Sequence, residues 1–240
     1  MPGESSRFTS DQRVPEEASW STEDDWGAGT PENVDVIGNG LVGRAPTQGS
    51  VASSVVDDFE RDSLAFYSGD TGNFEVQSDI AYTGDFALRC ITGSTSGSDL
   101  LYSLSGLDSY PEAGDVISLW TRTDEENASL ARPTFLFGIQ PGADEGYSGT
   151  LRYPHNGQPA EFKSNYAGYH SLDYNYRLGE WYQIRIDWGS SGDFVVEIYG
   201  EDGSLLDGPL VGNDSRWSSG GIGFNSAGTA DEVYDYVVLE

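Results

Sequence analysis

Residues 181–188 read WYQIRIDW, and this stretch decides the fold. Every second position carries a large apolar or aromatic side chain: Tyr182, Ile184, Ile186 and Trp188. The intervening positions are Trp181, Gln183, Arg185 and Asp187. Because successive side chains of a strand point to opposite faces, the stretch predicts a β-strand with one face buried in a core.

The rest of the chain repeats this pattern on both sides of that strand. Short apolar stretches recur about every ten residues, separated by Gly, Asn, Asp or Ser, and no window has a period of 3.6 over three turns. This pattern of short, evenly spaced stretches therefore predicts an all-β fold, an antiparallel β-sandwich of the jelly-roll type. The further predicted strands are 55–60, 73–77, 85–91, 99–104, 115–122, 134–139, 149–153, 160–164, 194–199, 204–206, 220–224 and 233–239.

Two regions are expected: an N-terminal extension, residues 1–53, and the sandwich, residues 54–240. The extension begins with polar residues and lacks the apolar stretch of a signal peptide. Its valines and leucine around Gly38-Asn39-Gly40 predict a short hairpin. Trp20 and Trp26 stand beside few other large apolar residues, so we predict that they anchor this segment to its own sandwich or to a neighbouring subunit of an assembly.

Charge excludes several classes of partner. The 240 residues include 40 Asp and Glu against 12 Lys and Arg, a formal net charge of -28. Nucleic acid and anionic membranes both require clustered cations, so neither is an expected partner. No apolar stretch approaches the length of a membrane span, and membrane insertion is not expected. The single cysteine, Cys90, excludes an intramolecular disulfide and is predicted to be a small buried residue.

The acidic residues are spread along the whole chain, and Lys163 is the only lysine. At 1 M salt the Debye length is about 3 Å, so the self-repulsion of such a surface is screened. This pattern favours a protein of a haloarchaeon or of one of its viruses. An acidic secreted protein from a mesophile is the alternative.

The strand pattern also resembles a known superfamily. Residues 54–240 are similar, in the order and spacing of their landmarks, to the concanavalin A-like lectin/glucanase superfamily, which includes laminin G-like modules. The resemblance implies two face-to-face antiparallel sheets, with glycans bound on a concave face and its rim loops. The matching stretches are VVDDFE (55–60), YTGDFALRC (82–90), WYQIRIDW (181–188), FVVEIYGEDGSLL (194–206), GGIGFNS (220–226) and VYDYVVLE (233–240).

The resemblance further implies a structural Ca²⁺ ion. In the superfamily the Asp of the last strand holds this ion together with backbone carbonyls. The matching positions are Asp235 and Gly84, with Asp58 and Glu60 nearby. Ca²⁺ binds six to eight oxygen ligands, including carbonyls, so these residues suit it. The alternative is that Asp235 faces solvent or caps a turn.

An enzyme is not expected. Glucanases of the superfamily carry two carboxylates spaced Glu-x-Asp-x-x-Glu, and this spacing occurs nowhere in the sequence. The adjacent acid pairs, such as Glu125-Glu126, would point to opposite faces of a strand and could not flank one glycosidic bond. A divergent glycoside hydrolase or lyase is the alternative.

Residues 146–177 form the most distinctive segment, since they hold six of the 14 tyrosines, both histidines and Lys163. Tyr rings suit stacking on sugars, and they suit protein contacts equally. The stretch NYAGYH, residues 165–170, is predicted to be a loop. The alternative is that these tyrosines lie in the core or in a subunit interface. The predicted ligand-binding residues are Tyr153, His155, Tyr166, Tyr169, His170 and Tyr174.

These observations lead to one functional hypothesis and its rivals. The hypothesis is a non-catalytic module that binds a glycan or a host surface glycoprotein. It would be a virion surface component of a haloarchaeal tailed virus, such as a capsid decoration, turret or tail fibre, and would form a homo-oligomer or contact other virion proteins. The expected location is the virion surface or the extracellular space at high salt. A lectin-like domain of a haloarchaeal cell-surface protein is the main rival.

Overall fold

The computed structural model describes residues 53–92, 99–124, 132–142, 145–151, 176–226 and 231–240. For residues 34–37, 40–43, 160–164, 168–172 and 226 it describes the backbone alone. The chain divides into two compact units, residues 1–52 and residues 53–240. In the first unit, β1 (Val34–Ile37) pairs antiparallel with β2 (Gly40–Gly43), which confirms the predicted hairpin.

The second unit consists of short strands, as the sequence predicts. No helix in the part of the chain described above is long and apolar enough to cross a membrane. The strands are β3 (Ser54–Asp57), β4 (Ser68–Gly69), β5 (Phe74–Gln77), β6 (Ala87–Cys90), β7 (Asp99–Ser103), β8 (Val116–Thr123), β9 (Pro133–Ile139), β10 (Tyr147–Thr150), β11 (Ala160–Ser164), β12 (Gly168–Leu172), β13 (Tyr182–Trp188), β14 (Asp193–Gly200), β15 (Leu205–Asn213), β16 (Gly221–Ser226) and β17 (Glu232–Leu239).

Two antiparallel sheets contain these strands. One has seven strands in the order β12-β11-β10-β9-β16-β7-β4. The other has eight strands. Seven of them follow the order β15-β14-β13-β8-β17-β6-β5, and the eighth, β3, pairs with the C-terminal part of β17. The predicted fold class, an antiparallel β-sandwich, is confirmed.

The core lies between the sheets and follows the alternation of the sequence. On β13 the side chains of Tyr182, Ile184, Ile186 and Trp188 are buried, whereas the three intervening residues are half-buried. Cys90 is also fully buried, as predicted. The strand therefore has one face in the core and one on the outside, because a pleated strand can bury only every second side chain deeply.

Aromatic rings join the two sheets at the centre of the core. Phe137 of β9 and Tyr147 of β10 belong to the seven-stranded sheet, and Trp188 and Phe194 to the eight-stranded sheet. The ring centroids of Tyr147 and Phe194 are 4.8 Å apart, and those of Phe137 and Trp188 are 5.3 Å apart, both edge-to-face. Such pairs stabilise a core by about 0.5–1.5 kcal/mol each beyond the burial of their area.

A polar contact also ties the sheets together. The Tyr234 hydroxyl of β17 donates to the Asn225 carbonyl of β16 at 2.9 Å and accepts from the Thr134 N–H of β9 at 2.9 Å. Tyr234 is fully buried, so its hydroxyl satisfies backbone groups that water reaches poorly.

The structure corrects one predicted loop and lengthens one strand. Residues 168–172, which include the second half of the NYAGYH stretch, form strand β12 on the edge of the seven-stranded sheet, whereas residues 165–167 lie outside the described residues. Strand β15 runs over nine residues, where the sequence predicted three. Both are edge strands, and their composition is polar or rich in glycine. They form by backbone pairing with one neighbouring strand, so their sequences lack the apolar alternation that would predict a strand.

The Tyr234 contact makes a testable contribution to stability. We expect Tyr234→Phe to lower the free energy of unfolding by about 1–3 kcal/mol, because it leaves a buried N–H and a buried carbonyl without this partner. Chemical denaturation followed by fluorescence measures the change. Tyr102→Phe, in a half-buried residue outside the core cluster, is the control and should change stability by less than about 0.5 kcal/mol. Equal effects of the two substitutions would contradict the role given to Tyr234.

Candidate functional site

Asp235 is a buried carboxylate on the outer side of the eight-stranded sheet. Its side chain is fully buried, and its neighbour Tyr234 points into the core, since adjacent strand residues face opposite ways. Oδ2 accepts hydrogen bonds from the N–H groups of Tyr82 at 2.7 Å and Thr83 at 3.0 Å. Oδ1 is buried and has no hydrogen-bond partner among the residues described. Such an atom is costly in a folded protein, which makes this place a candidate ligand site.

A β-bulge follows Asp235 directly. Tyr236 has a positive φ of 51°, and the pairing of β17 with β8 shifts register between Asp235 and Val238. A residue other than glycine in this region of φ costs of order 1–3 kcal/mol. Bulges of this kind reorient side chains beside functional sites, and here the bulge lies next to the buried carboxylate.

Glu60 is the second carboxylate at this place. Its Oε1 accepts from the N–H groups of Asp85 at 2.9 Å and Phe86 at 3.0 Å. Gly84 lies between Thr83, which bonds to Asp235, and Asp85, which bonds to Glu60. Its φ is +68°, and a Cβ at this position would come within 2.2 Å of Glu60 Oε1. Only glycine therefore lets the chain pass so close to Glu60. The structure thus brings together Asp235, Glu60 and Gly84, three of the four predicted metal-site residues.

Asp58, the fourth, has a local contact. Its Oδ1 accepts from the N–H of Glu60 at 3.2 Å, which is an ordinary turn contact. The role of Asp58 in a metal site stays a prediction.

Gln77 is a third side chain that holds the same loop, and sequence reasoning missed it. Its Oε1 accepts from the N–H groups of Asp79 at 2.6 Å and Ile80 at 3.0 Å, and its Nε2 donates to the Ile80 carbonyl at 2.6 Å. Residues 78–86 join β5 to β6, and we call them the β5–β6 loop. Three side chains therefore satisfy seven of its backbone groups, which orders a segment without regular structure.

Burial changes the acidity of Asp235. Desolvation is the largest effect and raises the pKa of its carboxyl from 3.8 to about 6; the N–H groups of Thr83 and Tyr82 lower it, and the negative charge of Glu60 raises it. A cation beside Oδ1 would oppose the effects that raise it.

The donor set fits a hard cation in part. Asp235 and Glu60 each use one carboxylate oxygen on the β5–β6 loop, which leaves Asp235 Oδ1 and Glu60 Oε2 for a ligand. Among the residues described, no group of three or more His, Cys, Asp or Glu side chains is arranged to hold a metal. A bound cation would therefore need backbone carbonyls as further ligands, which Ca²⁺ accepts readily and Zn²⁺ does not.

The β5–β6 loop also covers an aromatic cluster on the outer side of the same sheet. Trp120 of β8 and Trp181, just before β13, are buried there with Ala87 and Val233, in a cluster separate from the main core. The Tyr82 ring stacks on Trp120 with centroids 3.9 Å apart and planes 15° apart, and it meets Trp181 edge-to-face at 5.7 Å. The alternation along 181–188 assigns Trp181 to the face opposite Tyr182. No sequence pattern predicted that Tyr82 would stack in this cluster.

The predicted ligand-binding segment is described only in part. Tyr153, His155, Tyr166 and Tyr174 lie outside the described residues, as do Trp20 and Trp26 of the assembly prediction. Tyr169 and His170 lie on β12, in register with Lys163 and Phe162 of β11. Because neighbouring strand positions belong to opposite faces, one flat surface can use one of these two positions and not both.

The pairing registers define two rows on the outer face of the seven-stranded sheet, which we call the outer rows. The first row contains Ser68, Tyr102, Gly223, Leu136, Ser148, Lys163 and Tyr169. The second row contains Leu100, Asn225, Thr134, Thr150, Glu161 and Ser171. The Thr134 and Thr150 hydroxyls lie 2.9 Å apart, which agrees with a shared face. His170 does not belong to these rows.

Comparisons with known proteins identify the fold. No family model matches the chain, and no curated protein matches it in sequence. Among solved structures, the carbohydrate binding module CBM66 from Bacillus subtilis is 14% identical with a TM-score of 0.51, over 73% of this chain and 95% of that chain.

Two further structures match less well. The seed lectin of Lotus tetragonolobus is 12% identical with a TM-score of 0.44, over 70% of this chain and 92% of that chain. An endo-β-1,4-glucuronan lyase from the fungus Trichoderma reesei is 15% identical with a TM-score of 0.44, over 74% of this chain and 95% of that chain. At these identities the likeness concerns the fold and not the ligand.

The raised pKa of Asp235 predicts a pH effect that one substitution should remove. In the presence of a chelator, the folded chain holds this proton up to about pH 6, whereas the unfolded chain releases it near pH 4. The free energy of unfolding should therefore fall by at most about 3 kcal/mol from this group as the pH rises from 4 to 6.

Chemical denaturation of the wild type and of Asp235→Asn at several pH values measures this fall. The variant should lack it, because an amide does not titrate. Asp187→Asn, in a half-buried residue on the outer side of the same sheet, should keep the wild-type slope. Parallel curves for the wild type and Asp235→Asn would contradict the assignment.

Proposed function

We propose that the protein is a non-catalytic glycan-binding module whose binding surface is formed by the outer rows of the seven-stranded sheet. The observation that carries the proposal is the register of the first row, which assigns Tyr102 and Tyr169 to one face. Tyr102, Leu136, Thr150 and Asn225 are half-buried there, so solvent reaches this face in part.

The composition of the outer rows suits a sugar chain. Aromatic rings can stack on the apolar face of a pyranose, while hydroxyl and amide groups pair with its hydroxyls. Gly223 lies between Tyr102 and Leu136 in the first row and adds no side chain. Tyr102 and Tyr169 are five strands apart, about 24 Å at the usual strand spacing, a length that suits an oligosaccharide better than a single sugar.

The charge of the outer rows favours binding over catalysis. Hydrolysis of a glycosidic bond commonly needs two carboxylates on either side of it. The two rows contain one carboxylate, Glu161. A divergent hydrolase or lyase remains the second candidate, and release of soluble sugar from a polysaccharide panel, abolished by Glu161→Gln, would favour it.

The sequence hypothesis of a halophilic virion component is a further part of this proposal. Its support is the acidic composition, with Lys163 as the only lysine, and an N-terminal unit that precedes the sandwich. The partners would be a host glycoprotein and further copies of the chain or other virion proteins. Gel filtration in molar salt tests the assembly, and elution as a strict monomer would count against it.

Substitutions on the outer rows test the glycan-binding surface. We expect Tyr102→Ala and Tyr169→Ala each to weaken binding about tenfold or more on an array of neutral glycans, because each removes one stacking ring. Phe66→Ala, in an exposed aromatic residue of the loop before β4, is the matched control and should bind as the wild type does. Melting temperatures show whether each variant is folded. Unchanged binding by both tyrosine variants would reject the surface.

A structural Ca²⁺ ion at Asp235 belongs to the proposal as well. Asp235 Oδ1, Glu60 Oε2, the Gly84 carbonyl and the Asp58 carboxylate would be its ligands. When bound, the ion would neutralise the two carboxylates that hold the β5–β6 loop. The buried, unpartnered Oδ1 is the observation that supports it.

Thermal melting tests the ion separately from the glycan. After chelation in high KCl, added CaCl₂ should raise the melting temperature, with a gain near 2.7 kcal/mol at a hundredfold excess over Kd. Asp235→Asn should lose this gain, and Asp187→Asn should retain it. Wild-type melting that does not respond to CaCl₂ would remove the site.

A further inference from the structure

We propose that Tyr82 is the platform of a second sugar-binding site, on the outer side of the eight-stranded sheet. This site lies on the opposite sheet from the outer rows, and its ligand would be a neutral pyranose at the end of, or within, a glycan. The ligand class rests on the proposed function, whereas the position of the site does not.

The stacking geometry leaves one face of the Tyr82 ring for a ligand. Its inner face lies almost parallel on Trp120, and its edge is met by Trp181. Both Trp side chains are buried, while Tyr82 is half-buried. The ring face turned away from Trp120 is therefore the one that solvent reaches, a flat apolar surface backed by a second ring.

The β5–β6 loop holds the platform in place before any ligand arrives. The N–H of Tyr82 itself is bonded to Asp235, and those of its neighbours to Asp235, Glu60 and Gln77. A ring fixed in this way loses little conformational freedom on binding, which favours affinity. Asp235 holds Tyr82 directly, and Glu60 and Gln77 hold the loop on either side of it.

Polar groups lie on neighbouring strands beside the platform. Gln183 of β13 is in register with Trp120 of β8 and with Tyr199 of β14, and both Gln183 and Tyr199 are half-buried. Glu201, which follows β14, is exposed and close enough for its charge to contribute to the raised pKa of the Tyr82 hydroxyl, after burial. An amide, a hydroxyl and a carboxylate around a flat ring match the hydroxyls around the apolar face of a pyranose.

Charge selects the kind of sugar. Asp235 and Glu60 lie behind the platform, Glu201 lies beside it, and the chain carries a net charge of -28. A uronic acid or sialic acid would be repelled by these carboxylates at low salt. The site therefore fits a neutral sugar.

Variants of the two surfaces can be tested separately with the full chain. The probes are a soluble β-glucan, a mannan and a xylan, with polygalacturonate as the acidic comparison, and the measurement is affinity electrophoresis. In a Tyr102→Ala/Tyr169→Ala background, at least one neutral polysaccharide should still bind. Adding Tyr82→Ala should weaken that remaining binding about tenfold or more, whereas Tyr82→Phe, which keeps the ring, should stay within about twofold.

A rim variant guards against misfolding of Tyr82→Ala. Gln183→Ala leaves the stacked rings in place and should weaken the same remaining binding, while Phe66→Ala should not change it. If Tyr82→Ala, checked as folded by its melting curve, leaves binding unchanged, the second site is overturned. Tighter binding of polygalacturonate than of every neutral probe would overturn it too.

The two proposals fail in different ways. Loss of all binding in the Tyr102→Ala/Tyr169→Ala background supports the outer rows and overturns the Tyr82 site. Binding that depends on Tyr82 and ignores Tyr102 and Tyr169 overturns the outer rows and supports the Tyr82 site. A wild type that binds no probe of the panel overturns both.

Discussion

The alternation of side chains along strand β17 is the constraint on which the rest of the structure depends. Tyr234 points inward, and its hydroxyl bonds to backbone groups of two strands of the opposite sheet. Asp235 points outward, and its carboxylate holds the β5–β6 loop. Neighbouring residues of a strand point to opposite faces. Strand β17 therefore contacts the opposite sheet through Tyr234 and the β5–β6 loop through Asp235. The bulge at Tyr236 interrupts the pairing with β8 directly after these two residues, and the pairing resumes with a shifted register at Val238.

The outer faces of the two sheets differ in how they could meet a ligand. The seven-stranded sheet presents two rows of polar and aromatic positions that run across its strands. The eight-stranded sheet instead has a loop laid over it, which stacks Tyr82 on Trp120. A sheet face is wide and shallow and suits an extended chain, whereas a single stacked ring suits one sugar unit. The sandwich fold supports either arrangement without requiring it, because a fold does not by itself specify a ligand.

Many carboxylates of this chain contribute to the charge of its surface. A few instead hold particular parts of the fold through their hydrogen bonds. A net charge of -28 gives little weight to any one acid. Asp57, buried in the sandwich, accepts from the Tyr67 hydroxyl at 2.7 Å and pairs with Arg61 at 3.0 Å. Glu60 and Asp235 each satisfy two N–H groups of one loop. Burial makes the contacts of Asp57 and Asp235 matter, since a buried charge without partners would cost several kcal/mol, whereas Glu60 is exposed.

The sequence by itself determined the fold class, because alternation and turn residues are local properties. The strand at 181–188, the hairpin in the N-terminal unit and the buried Cys90 are all legible from neighbouring residues. The grouping of Asp235, Glu60 and Gly84 came only through a resemblance; the structure has all three at the β5–β6 loop, and their role as metal ligands stays a prediction. Gln77 and the stacking of Tyr82 on Trp120 were beyond prediction, since side chains of separate strands and loops meet there. Only the tertiary structure decided which strands are neighbours, and hence that Tyr102 and Tyr169 share a row while His170 does not. Strand order depends on contacts between residues far apart in the chain, and no local pattern records them.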